Sequence, residues 1–189
     1  MSWDLPKEAT FCGKKYPHKS DFREILKLLA LLGDEEKPEF LRWHGALFYF
    51  FEKEIPEEAM AAAMEYLAHF LTAGEKSAPG PRLYDWQADA QLIAAGVNAV
   101  AGREVRALEY LHWWSFLGYF RSMGEGQFAL VVGIRQKLRR GKRLEPHEEA
   151  FYRGHQDLVR LKTPDTAEKR RLEALLGDSE KPSQSRRLP

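Results

Sequence analysis

The chain has 189 residues, 44% of them hydrophobic and 12% aromatic, and a formal net charge of +1. That is ample apolar content for one packed domain, with no overall electrostatic preference for a partner. No run approaches the ~20 apolar residues of a membrane span, the opening Met1–Pro6 is no secretory signal, and a single cysteine, Cys12, excludes a disulfide framework or multi-cysteine zinc site. The expected compartment is a reducing cytoplasm.

Residues 1–8 read as an N-terminal arm, and residues 9–18 as a short hairpin turning at Gly13-Lys14. Ser20 is placed to cap a first helix that runs through Leu32 and stops at Gly33, with Asp21 and Glu24 in its first turn. A second helix begins near Pro38, with Phe40, Leu41, Trp43, Leu47, Phe48 and Phe51 as its apolar face. Pro56 opens a third, rich in alanine and methionine, which ends at Ala73-Gly74.

Residues 74–82 hold two prolines and two glycines and form the clearest loop, dividing two helical halves that are each small for an independent domain. Asp85 is expected to cap a helix over 86–101, closed by Gly102. The aromatic block Leu108-Glu-Tyr-Leu-His-Trp-Trp-Ser-Phe-Leu-Gly-Tyr-Phe120 reads as part of a helix from Val105 to Met123, apolar almost all round and therefore buried. A helix over 127–140 follows. Pro146 then starts another, with Phe151, Tyr152, His155, Leu158, Val159 and Leu161 on its apolar side. Residues 166–176 suggest a last short helix, and the tail from Gly177 has nothing to bury. The fold class is mainly α: a compact domain over 9–162 with about seven helices and an N-terminal hairpin, plus a partly disordered extension over 163–189.

The residues offer no catalytic, cofactor-binding or metal-ligating constellation. His147 and His155 are too far apart for a helical metal pair, and His44, His69 and His112 lie in separate helices. The pairs Glu35-Glu36, Glu57-Glu58 and Glu148-Glu149 all stand at helix beginnings, where the helix dipole explains them. Asp85 and Asp89 are one turn apart, but two carboxylates make no calcium site, and capping is the stronger reading. Arg135, Lys137, Arg139, Arg140, Lys142 and Arg143 run without an intervening acid. They suit either the negative end of a helix dipole or a phosphate backbone, so a nucleic-acid-binding accessory protein using 135–143 is the alternative function. No aromatic interleaving accompanies them.

Leu83, Tyr84, Asp85 and Trp86, then Asp89, then Glu109, Tyr110, His112, Trp113 and Trp114 make up a distinctive pattern. With Gly13-Lys-Lys-Tyr-Pro17 and Ser20-Asp-Phe-Arg23 upstream and Phe151-Tyr152 downstream, the chain over roughly 10–162 resembles the bacteriophage gene-product-15 family, found in tail gene clusters of siphophages and prophages of Gram-positive bacteria. His18 after Tyr-Pro and the 163–189 extension depart from the family pattern. The resemblance implies a small helical protein of tail morphogenesis in the host cytoplasm: a non-enzymatic assembly chaperone that keeps the hydrophobic tape measure protein soluble. Other tail proteins are further partners, and self-association is common among such chaperones. Met60 and Met64 fit an adaptable client surface or a filled core. Trp113 and Trp114 fit the core better than a client face; adjacent residues point ~100° apart on a helix, so burying both needs cover on two sides.

Overall fold

The first ordered element is a hairpin, β1 Glu8–Phe11 and β2 Lys14–Pro17, paired antiparallel with Phe11 opposite Lys14. The computed structural model describes residues 3–75 and 82–161. The hairpin loop is Cys12-Gly13, one residue before the expected Gly13-Lys14 turn. Both residues have positive φ, 49° and 72°, the geometry of a two-residue turn that matches strand twist. Alternation sends Ala9, Phe11 and Tyr16 inward. His18 then pairs with Phe51 as an isolated bridge, which fixes the hairpin to the end of the second helix.

Helix α1 spans Phe22–Leu32 and buries Phe22, Ile25 and Leu28 at intervals of three. Its N-cap is Asp21, not Ser20: the Asp21 carboxylate accepts from the Arg23 amide at 3.0 Å. The Ser20 hydroxyl is instead 2.8 Å from the Tyr110 hydroxyl. Helix α2, Glu39–Phe50, follows Pro38 and buries Ala46, Leu47 and Phe50. Its predicted apolar face is split. Leu47 and Phe51 are buried and Trp43 half-buried, whereas Phe40, Leu41 and Phe48 are 70%, 48% and 81% exposed. The helix is apolar on two sides, and only one of them meets the core.

After Pro56 a single 3-10 turn, Glu57–Ala59, leads into α3, Met60–Leu71. Ala63, Leu67 and Phe70 face inward, and Ala73 and Gly74, both with positive φ, end the element. Of the expected 74–82 loop, residues 76–81 lie outside the described residues.

Helix α4 is Ala90–Ala101, four residues later than expected. Asp85 caps a turn instead: its carboxylate accepts from the Gln87 and Ala88 amides. Gly102, at φ 67°, closes α4 in the left-handed region that glycine favours. The expected continuous helix over 105–123 is not formed. Val105–Ala107 is a 3-10 turn, residues 108–112 are not helical, and α5 is Trp113–Arg121. The interruption has a cause far away in sequence. Leu111 and Trp113 sit alongside Ser20–Phe22, with Phe22 N–H donating to the Leu111 carbonyl and Trp113 N–H to that of Ser20. The Asp21 carboxylate also takes the Leu111 amide at 3.0 Å.

Helix α6 is Gln127–Arg139 and α7 is Pro146–Gly154, the latter opened by a reciprocal Glu145/Glu148 capping box. The helix expected to carry on from Pro146 breaks at His155 (φ −136°, ψ 42°), and a short α8, Gln156–Val159, follows. The His155 ring stacks on Phe151 and its Nδ1 bonds the Phe151 carbonyl, occupying a helix-end acceptor. The segments expected over 163–189, including the helix at 166–176, lie outside the described residues. The fold is mainly α, with eight α-helices and one hairpin among the described residues. One buried cluster runs from Ala9 through Phe22, Phe50, Phe70 and Val97 to Trp113 and Leu117.

Candidate functional site

The tyrosines, tryptophans and histidine of the sequence pattern form a brace inside the fold. Trp113 is 1% exposed, and its indole N–H donates to the Leu71 carbonyl at 3.1 Å. Trp114 donates likewise to the Phe70 carbonyl at 2.9 Å. Both acceptors belong to the last turn of α3, and the Phe70 carbonyl also takes the Ala73 N–H at 3.1 Å. Trp86 meets Trp113 edge-on at 5.7 Å, and Tyr84 packs against Trp86 and Phe120. His112 caps α5: its Nδ1 accepts from the Trp114 amide at 3.0 Å, so its Nε2 carries the proton and donates to the Pro6 carbonyl at 2.8 Å. Glu109 contributes its backbone carbonyl to Arg23, and Tyr110 holds Ser20 from a half-open position. These side chains locate the arm, α1, α3 and α5 relative to one another.

His18 and His112 both titrate below the ordinary histidine value because burial disfavours the charged ring. The backbone bonds to Lys19 and Pro6 pull the other way without overcoming that cost. Folded, both are neutral near pH 7; unfolded, they protonate near 6.5. Below about 6.5 the unfolded state therefore binds more protons, and stability is lost as pH falls through that window. Asp21, Glu24 and Glu148 are held below their usual acid values, so their contribution fails only at lower pH. The urea midpoint should drop between about pH 7 and 5.5, and His112→Asn, which keeps an N-cap side chain, should reduce that drop. A midpoint flat across this range would contradict the assignment.

The basic run is divided by the fold. Arg135 is 7% exposed and sits in a cage of acceptors. Its guanidinium donates to both Asp89 carboxylate oxygens, at 2.7 and 2.9 Å, and to the carbonyls of Leu83, Leu158 and Val159. As a partner contact it is corrected: it is an internal tie. Lys137 is half-buried against Glu148 at 2.7 Å, an ion pair that also holds the Glu148 carboxyl low. Arg139 reaches the Arg82 carbonyl, and Arg139, Arg140, Lys142 and Arg143 are exposed at and beyond the end of α6. Asp89 is likewise committed, to Arg135 and to the Asp85 amide, while Asp85 pairs with Arg82. Among the described residues no three His, Cys, Asp or Glu side chains are grouped to hold a metal ion. Cys12 stands exposed at the hairpin tip.

Among the described residues an open apolar feature lies between α2 and α3. Phe40, Leu41, Trp43, His44, Leu47, Met60 and Met64 line a cleft of about 460 Å³. A wider concavity of about 780 Å³ shares His44, Leu47 and Met60 with it and runs on past Phe48 and Ile55 towards Tyr16 of the hairpin. Met60 and Met64, expected either in the core or on a client surface, are half-buried on its wall. Phe40 and Phe48, read as part of one apolar face of α2, stand exposed on its outer side. The available signal was the doubled stripe of α2: Ala46, Leu47 and Phe50 on one side, Phe40, His44 and Phe48 at i, i+4, i+8 on the other. No described helix is long and apolar enough to cross a membrane.

A family model described as Bacteriophage Gp15 protein matches residues 2–161. No curated protein and no solved structure matches the chain.

Proposed function

This chain belongs to the Bacteriophage Gp15 protein family, and from that premise we propose that it is a non-enzymatic tail assembly protein that shields apolar segments of the tape measure protein during tail morphogenesis. The supporting observation is the α2–α3 cleft and the concavity it opens into, where Phe40 and Leu41 on the one and Phe48 on the other stand in water at 70%, 48% and 81% exposure. Contiguous exposed hydrocarbon of this kind marks a surface that is covered in use. The methionines on its wall suit a client with no single fixed shape, since a thioether chain repacks at little cost.

Phe48→Asp supplies the test. The side chain is 81% exposed, so folding stability should fall by no more than about 1 kcal/mol, mainly from a carboxylate in the last turn of α2. Burial of a phenylalanine on binding contributes about 1.5–3 kcal/mol, so the variant should lose co-purification with the tape measure protein from cells making both. Retained co-purification by Phe48→Asp and by Phe40→Asp would remove the cleft from the function.

A further inference from the structure

We propose that the α2–α3 cleft takes an amphipathic α-helix that carries lysine or arginine at the end lying over the start of α2; the inference rests on the reading of this cleft as the client site.

The backbone of the occupant follows from the lining. In the narrower part His44 is the one polar side chain among Phe40, Leu41, Trp43, Leu47, Met60 and Met64. A strand or loop laid on that floor brings N–H and C=O groups against hydrocarbon with nothing to bond, each a desolvation penalty. A helix pairs its own backbone and presents only side chains. The dimensions agree. The α2 wall has 12 residues, about 18 Å or three turns at 1.5 Å per residue. Phe40, His44 and Phe48 form a ridge along it at the spacing by which helices interlock.

The charge of the occupant follows from the rim. Residues 34–65 contain nine acidic and three basic side chains, in a chain whose net charge is +1. Of the three bases, Lys37 is paired with Asp34, and Arg42 is bonded to the Leu32 carbonyl. Glu35, Glu36 and Glu39 are exposed at the start of α2 and Glu57 and Glu58 at the approach to α3, without an ion-pair partner among the described residues. The cations on the lining, Lys14 and Lys53, belong to the wider end beside the hairpin, where Glu54 and Glu57 balance them. An incoming cation is therefore favoured over the Glu35–Glu39 end. A second copy seated parallel through its own α2 would bring the same acids against them, and an antiparallel pair, which would not, is the dimer outcome of the test below.

The test uses the full chain and two fluorescently labelled helical peptides of about 16 residues with one shared apolar face. One ends in Lys-Arg-Lys, the other in Glu-Asp-Glu. By anisotropy at about 50 mM salt the cationic peptide should bind at least about tenfold more tightly, and the gap should close near 0.5 M. The double change Glu36→Lys, Glu39→Lys should invert the preference, and Phe48→Asp should abolish binding of both. Equal binding, or binding that survives Phe48→Asp, overturns the proposal. So does a dimer that Phe48→Asp dissociates, which would assign the face to a second copy. So does an affinity raised about tenfold or more by Leu172→Asp with Leu175→Asp, which would assign it to the chain's own C-terminal segment. If the peptide preference holds while the tape measure protein fails to co-purify, the helix site stands and the client reading falls.

Discussion

Arg135→Met is expected to lower the stability of the fold by about 3–5 kcal/mol, because it strands a buried carboxylate. The Asp89 and Arg135 side chains are 2% and 6% exposed, so neither charge is relieved by water. The guanidinium uses all its N–H groups: two on Asp89, and the rest on carbonyls of Leu83, Leu158 and Val159. One side chain on α6 thereby fixes α8, the segment before Asp85 and the start of α4. Arg135→Lys keeps the charge but has three donors on a point and cannot span this set of acceptors, so a loss of about 2 kcal/mol is expected even for that change. The double variant Arg135→Met, Asp89→Leu removes both charges. It should recover part of the loss and no more, because the three carbonyls remain unpaired. Urea unfolding of the four proteins measures these differences, and a wild-type midpoint for Arg135→Met would show that the tie is not formed.

The same tie explains where the sequence was legible and where it was not. Gly33, Pro38, Gly102 and Pro146 placed helix ends within about two residues, since each acts on its own backbone without needing a neighbour. Two of the misplaced elements answer to distant partners. Helix α4 starts at Ala90 and not at 86, where Asp89 is drawn to Arg135, 46 residues on. The aromatic block is not helical before Trp113, since Asp21 takes the Leu111 amide from 90 residues away and Pro6 takes His112 from 106. The candidate site was half readable for a related reason. Met60 and Met64 are legible from composition, but period 3.6 does not say which of two apolar sides of α2 meets the core, so Phe40 and Phe48 read as one face with Leu47 and Phe51.

Trp113→Ala is expected to destabilise the protein by about 3–5 kcal/mol, the cost of emptying a large buried aromatic site. Trp113 is 1% exposed and packs on Trp86 and Phe116, each at 5.7 Å between ring centres. Its removal also leaves the Leu71 carbonyl at the end of α3 without its donor. Trp113→Phe keeps most of the packing and loses that bond, so about 1–2 kcal/mol is expected from it. The pair of variants separates two roles for the aromatic block. If Trp113 is core, Trp113→Ala loses client binding only in proportion to the protein it unfolds, and Trp113→Phe, still folded, binds normally. Phe48→Asp should behave in the opposite way, folded but unable to bind, because its side chain lies on the cleft and touches none of the brace. A folded Trp113→Phe protein that loses its client would move the binding face from α2 and α3 to α5. It would also mean that an indole with 1% exposure becomes accessible in use, which requires α5 to leave the C-terminal turn of α3.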